Sequence, residues 1–246
     1  DSAVVAAIGH WNSSVALATI PVFQRYSTPF IVWGAISPKI TEQNLSFVTR
    51  VTPTLVNENA PFAAWLAKDL GAKKIAIVSD TTDYGQANTQ WFGKFFTEAG
   101  GEIISTDAVP AGTTDFRAIL TRLAGLAPDA LYFGGVIAEA GILRKQMAEL
   151  GLNVPLVGIS GFYDPEFIAI AGEAADGTMV SYPKSASNPK IDKLMADYEA
   201  RNFAEPTSPY TKYAFDAANI LFEVIKAHGI QDKEMLAKAI REIKYE

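Results

Sequence analysis

The informative residues able to do chemistry fall in five short loops, each following a run that reads as a strand. The first is Gly9-His10-Trp11-Asn12-Ser13-Ser14. Hydroxyls and backbone N–H groups at a helix start can donate to a carboxylate, or the same small polar residues can simply cap the helix. The second is Gly34-Ala35-Ile36-Ser37-Pro38, whose Ser-Pro pair is an ordinary turn signal and whose backbone groups are placed to face a solute. The third, Asp80-Thr81-Thr82-Asp83-Tyr84-Gly85, offers aspartates suited to helix capping and a tyrosine that supplies both an aromatic wall and a hydroxyl. The fourth covers residues 134–139, with Val136 and Glu139, and the fifth residues 160–164, with Ser160, Gly161 and Phe162. Open α/β sheets bind ligands at the carboxyl ends of their strands, which is where all five loops fall.

Other chemistries lack their residues. There is no cysteine, which excludes disulfides, thiolate catalysis and Cys-ligated metal. No Gly-rich phosphate loop follows a strand. Gly158-Ile159-Ser160-Gly161 has Phe162 where a nucleophile elbow needs glycine. The two histidines, His10 and His228, lack metal-ligand spacing; His228 beside Gly229 reads as a helix-end residue and His10 as structural or at a rim. The triplets beginning at Asn12 and Asn44 match the glycosylation pattern, which arises often by chance. We therefore expect no catalytic residue, no metal and no cofactor.

Strand and helix patterns alternate around these loops. Residues 4–8, 30–33, 74–78, 102–108, 130–133, 154–159 and 178–182 read as strands. Helical spacing marks residues 14–26 (interrupted by Pro21), 57–70, 86–99, a stretch from about 114, then 138–150 and 164–171. Continuous apolar strands alternating with helices imply parallel sheet covered on both faces, hence an α/β class. Beyond residue 182 the pattern is helical only: 190–202, 209–228 and 231–245. Connectors at 50–55 and 183–189 divide the chain into a first-lobe part (1–55), a second lobe (56–183) and a return to the first lobe (184–246). The flanking pieces offer two convincing strands, a thin sheet for their many apolar faces.

With 49% hydrophobic residues in 246, a buried interior is feasible. No apolar run approaches the roughly 18 residues of a membrane span. The net charge of −6 is dispersed, without a basic cluster for nucleic acid. Residues 1–3 show neither a basic start nor a cleavage site, so either the mature protein begins here or the chain is a fragment.

The order Ile8-Gly9-His10…Ser13-Ser14, Ser37-Pro38…Thr41, Asp83-Tyr84-Gly85, Asp115-Phe116, Pro128-Asp129…Tyr132-Phe133-Gly134-Gly135 and Ile170-Ala171-Gly172-Glu173-Ala174-Ala175-Asp176-Gly177 resembles the Leu/Ile/Val-binding family of type I periplasmic binding proteins, from about residue 4 to about residue 227. The resemblance implies two doubly wound parallel-sheet lobes with ligand held between them. It implies an extracytoplasmic or periplasmic location and ABC permease subunits as partners, with no enzymatic activity. Family chains begin with two more βα units, on the order of 60 residues at about 30 per unit, so the first lobe is expected to be incomplete here.

By the same resemblance the carboxylate-holding serine matches Ser13, beside Trp11, Asn12 and Ser14. The helping backbone matches Gly34 and Ala35, next to Ser37, and a second-lobe tyrosine matches Tyr84. Three positions depart: Ile36 stands for a threonine, Val136 for a tyrosine, and Ser160 for the acid that pairs with a ligand ammonium. A buried ammonium without a counter-charge is costly, so the expected ligand keeps a carboxylate and lacks an α-amino group. A keto acid, an aromatic or branched carboxylate, or an amide fits, with Trp11, Val136 and Phe162 as apolar walls. A branched-chain amino acid, with Glu139 or Asp164 reaching in from the rim, stays open. So do a ligand-sensing regulator or receptor on the same fold and an α/β enzyme.

Overall fold

The computed structural model describes residues 3–183 and 189–245; residues 184–188 of the expected connector lie outside them. The chain divides into two compact units. Unit 1 is Asp1–Pro53 with Ser185–Glu246, and unit 2 is Thr54–Lys184.

Unit 1 opens with strand β1 (Ala7–Ile8), helix α1 (Ser13–Arg25), β2 (Phe30–Val32), the short α2 (Lys39–Glu42) and β3 (Val48–Arg50). The sheet order is β1-β2-β3, all parallel, with Ala7 opposite Phe30 and Val32 opposite Arg50. Two expectations change. Strand 4–8 shrinks to Ala7–Ile8, because its one partner, β2, is itself three residues long. A third strand exists where only a connector was expected, and Arg50 is its last residue rather than loop. Helix α1 runs through Pro21.

Unit 2 comprises α3 (Leu55–Lys68), β4 (Lys74–Asp80), α4 (Asp83–Glu98), β5 (Glu102–Val109), α5 (Arg117–Ala124), β6 (Ala130–Gly134), α6 (Ile137–Glu149), β7 (Leu156–Ile159), α7 (Pro165–Ala171) and β8 (Met179–Ser181). A 3-10 turn at Ser160–Phe162 links β7 to α7. The parallel order β5-β4-β6-β7-β8 reverses direction beside β4, as in doubly wound sheets. Alternation along β6 builds both faces. Leu131 and Phe133 join the core formed with α5, α6 and α7, including Phe116, Leu120, Leu143, Met147 and Phe167. Tyr132 points the other way and stacks on Phe92 of α4 at 3.8 Å between ring centroids. Its hydroxyl lies 2.8 Å from Asn59 Oδ1 and 2.9 Å from Asn88 Oδ1, so the polar tip is satisfied where it is buried.

The chain returns to unit 1 through α8 (Pro189–Ala200), α9 (Thr211–His228) and α10 (Lys233–Glu242). Ile31 of β2 packs on Ala217, Ile220, Leu221 and Val224 of α9 and on Leu236 and Ile240 of α10. Phe30 and Val32 face Ala16 and Ile20 of α1. The three-stranded sheet thus has helices on both faces, which is why its central strand β2 is apolar throughout. Among the described residues no helix is long and apolar enough to cross a membrane.

Candidate functional site

In each parallel sheet the loops after the strands share one edge, and the candidate residues sort between the two units accordingly. On unit 1, Asn12 caps α1: its Oδ1 accepts the N–H of Ser14 at 2.9 Å and of Val15 at 3.3 Å. This leaves Ser13 for another task. Its buried Oγ accepts the Ser37 N–H at 3.2 Å and joins the first loop to the second. The Ser37 Oγ is buried without a hydrogen-bond partner. An orphaned hydroxyl in such a place is costly unless something accepts from it.

Behind Ser37 stands a cation, Arg50, the last residue of β3. Arg50 Nη1 donates to the Ser37 carbonyl at 2.6 Å and Nη2 to Thr41 Oγ1 at 2.7 Å. Burial lowers its pKa to about 10, partly offset by Glu42, so the guanidinium stays charged at neutral pH. A partly buried positive charge that donates to the Ser37 carbonyl and the Thr41 hydroxyl favours an anion nearby. The backbone amides expected to help are placed differently: the Gly34 N–H (3.2 Å) and the Ala35 N–H (2.8 Å) both donate to the His10 carbonyl. Both amide donors are therefore already used within unit 1. Gly34 has a separate steric reason, since a Cβ there would lie 2.9 Å from Trp11 Cα. Trp11 packs edge-on against Tyr210 at 6.2 Å, and Ile36 is buried. His10 sits against Phe30 at 5.4 Å with its Nε2 buried and unpartnered.

On unit 2, the third loop is shorter than expected. Thr82 is the N-cap of α4, its Oγ1 accepting the Gly85 N–H at 3.2 Å, so Tyr84 lies in the helix's first turn and is buried. Tyr84 meets the fifth loop directly: a methyl on Gly161 would fall 2.2 Å from its Oη and 2.9 Å from the Gly135 carbonyl oxygen. Val136 is the half-buried N-cap residue of α6. Phe162 departs from its expected role as a wall. It is 1% exposed and packs inside the core, 5.5 Å from Phe167 and 6.2 Å from Phe133, while the next residue, Tyr163, faces outward and stacks on Tyr182 at 5.4 Å.

The acids are also rearranged. Glu139 accepts the Gly112 N–H at 2.8 Å, and Asp164 caps α7 through the Glu166 N–H at 2.9 Å. Neither is the carboxylate at Ser160. Glu58 of α3 is: its Oε2 accepts the Ser160 N–H at 3.1 Å, and the side chain is 3% exposed. Burial pushes its pKa up to about 7, against smaller lowering contributions from the Ser160 hydroxyl and N–H. Sequence periodicity gives no signal for it, because a glutamate within an amphipathic helix reads as solvated. Asp80 at the end of β4 is likewise raised by burial, with Glu139 adding to it and bonds to Thr82 opposing.

The shifted Glu58 carries a stability prediction. Its folded pKa lies above the unfolded value, so the unfolded chain loses this proton first as pH rises. Wild type should lose about 3 kcal/mol from this group between the ordinary glutamate pKa of 4.5 and about pH 7, with little change beyond. In Glu58→Gln that loss should vanish, as read by urea unfolding across the interval; a wild-type-minus-variant difference independent of pH would refute it.

The family model described as periplasmic binding protein matches residues 1–246. Leu/Ile/Val-binding protein homolog 1 of Brucella melitensis biotype 1 is 31% identical over 236 residues, 96% of this chain and 63% of the relative. A crystal structure of a leucine-binding protein from Thermotoga maritima MSB8 matches with a TM-score of 0.89 at 30% identity, covering 98% of this chain and 69% of that one. A solute-binding protein of an ABC transporter from R. palustris, in complex with benzoate, matches with a TM-score of 0.87 at 25% identity, covering 97% and 67%. The chain thus spans less than two thirds of the length of the Brucella relative.

Proposed function

We propose, from the premise that this chain belongs to the periplasmic binding protein family and is a homologue of the Leu/Ile/Val-binding proteins, that it is the extracytoplasmic solute-capturing component of an ABC importer. It takes up a small carboxylate or amino-acid-like ligand with the strand-end loops of both units and presents it to a permease unchanged. The observation that carries the carboxylate is the trio on unit 1: the Ser13 and Ser37 hydroxyls, with the partly buried Arg50 guanidinium bonded to the Ser37 carbonyl. Relatives known by structure hold such molecules, benzoate in one case. Closure over the ligand would be driven only by contacts made in the closed form and not in the open one.

A thermal-shift panel of leucine, its keto acid, benzoate and 4-hydroxybenzoate tests this reading. A specific ligand at about 100 times its Kd adds about 2.7 kcal/mol, or about 5–10 °C for a chain of this size. At least one carboxylate should reach that shift, and the matching amide or alcohol should not. Uniform silence across carboxylates would refute the reading. Arg50→Gln removes the charge but keeps a donor to the Ser37 carbonyl. It is expected to weaken the bound carboxylate about tenfold in titration calorimetry, with a smaller effect on any neutral analogue.

A further inference from the structure

Glu58 is a buried carboxyl whose partner, distant in sequence, belongs to a ligand-edge loop, and the pairing gives it more than a structural role. Its oxygens bond the backbone N–H and the hydroxyl of Ser160, the first residue of the Ser160–Phe162 turn. The acid comes from α3, far away in sequence, and α3 packs against β7 and β8. The groups facing it are few. From β6 comes the Tyr132 hydroxyl, held by Asn59 and Asn88. From β8 comes Ser181, whose Oγ lies 3.5 Å from the Glu58 carbonyl. From α4 comes the neutral Asn88, and β7 contributes only the lead into Ser160. Among the described residues no lysine, arginine or histidine pairs with it.

We propose that Glu58 is a specificity-determining positioning residue that sets the hydrogen-bonding sense of Ser160 at the ligand edge of unit 2. This rests on the solute-binding reading above. An ionised Glu58 can only accept, so it draws the Ser160 O–H toward itself and leaves the Ser160 oxygen lone pairs to accept from a ligand hydroxyl. A protonated Glu58 can donate to the Ser160 Oγ, which frees the Ser160 O–H to donate to a ligand acceptor. One proton therefore reverses what the loop recognises. With the carboxyl held near pH 7 by burial, both states are populated around neutrality. The physical cause is the same desolvation that would make a permanent charge there expensive.

The experiment has two arms. In the first, ¹⁵N-labelled wild type is titrated from about pH 5.5 to about pH 8.5 without ligand. The Ser160 amide should shift with a midpoint near 7, and the Glu58→Gln variant should show no such step. A Ser160 amide that does not titrate in wild type, or titrates equally in Glu58→Gln, overturns the proposal whatever binds. In the second, affinities for 4-hydroxybenzoate and benzoate are measured at both ends of that range. The preference for the phenol should rise about tenfold with pH in wild type and stay level in Glu58→Gln. A level preference in wild type, with both probes bound, overturns it too. If neither probe binds, the carboxylate reading is still decided by leucine and its keto acid in the thermal-shift panel, and the amide titration alone decides for or against Glu58.

Discussion

Phe162→Ala is expected to destabilise unit 2 by about 3–5 kcal/mol, the range for emptying a buried aromatic site. The ring is 1% exposed and lies against Phe133 and Phe167 in the core between the sheet and α5–α7. It also covers Gly158, where a Cβ would come within 2.4 Å of the ring. Nothing can collapse into the space from β7, because its backbone there is held in register with Val180 of β8. The neighbouring Tyr163→Ala removes a ring that is 52% exposed, and should cost under about 1 kcal/mol. Urea unfolding of both variants separates a core residue from a wall residue. A small loss at Phe162 together with a large loss of ligand affinity would restore it to the wall.

The second large effect concerns two glycines, one on each unit. Gly161→Ala places a methyl 2.2 Å from Tyr84 Oη and 2.9 Å from the Gly135 carbonyl oxygen. The backbone contact cannot give way cheaply, so either Tyr84 is expelled from its place or the Ser160–Phe162 turn lifts. Such overpacking typically costs about 1–3 kcal/mol in stability. On unit 1, Gly34→Ala sets a methyl 2.9 Å from Trp11 Cα and 3.0 Å from its Cδ1, pressing the two carboxyl-edge loops apart. Each variant is expected to lower affinity for the cognate carboxylate by about tenfold or more, that is about 1.4 kcal/mol or more. Calorimetry on the folded variants, with Gly71→Ala as a control, checks it. At Gly71 a Cβ meets nothing within 4 Å, though its φ of +79° adds strain of a local kind. Equal affinity in Gly34→Ala and wild type would remove unit 1 from the site.

How far the sequence carried this depends on which forces placed each residue. The central strands β4 and β6 are legible because Ile75-Ala76-Ile77-Val78 and Ala130-Leu131-Tyr132-Phe133 are buried on both faces and so apolar without alternation. The strand β3 is not, since three residues ending in Arg50 carry no periodicity, and what makes them a strand is pairing to β2. For the same reason the charge behind Ser37 went unread. The loop positions of Ser13 and Ser37 could be named from the sequence, but their mutual bond could not, because it spans 24 residues. Tyr84 was read as loop because Gly85 masks a helix start that Thr82 in fact caps. Glu58 has no local signal at all: its bond to Ser160 crosses 102 residues, and the packing of α3 on α4, β7 and β8 buries it. The expectation of a ligand without an amino group rests on there being no acid at position 160; Glu58 bonds the Ser160 N–H from another element, and that contact has no signal in the sequence.

The measurement that bears most directly on the account is a two-dimensional amide spectrum of the ¹⁵N-labelled protein, titrated with the carboxylate that gives the largest thermal shift. One equivalent should move the amides of Ser13 and Ser37 on unit 1 together with those of Tyr84 and Gly161 on unit 2, along a single saturation curve. Movement confined to one unit, or separate curves for the two sets, would contradict a ligand served by both.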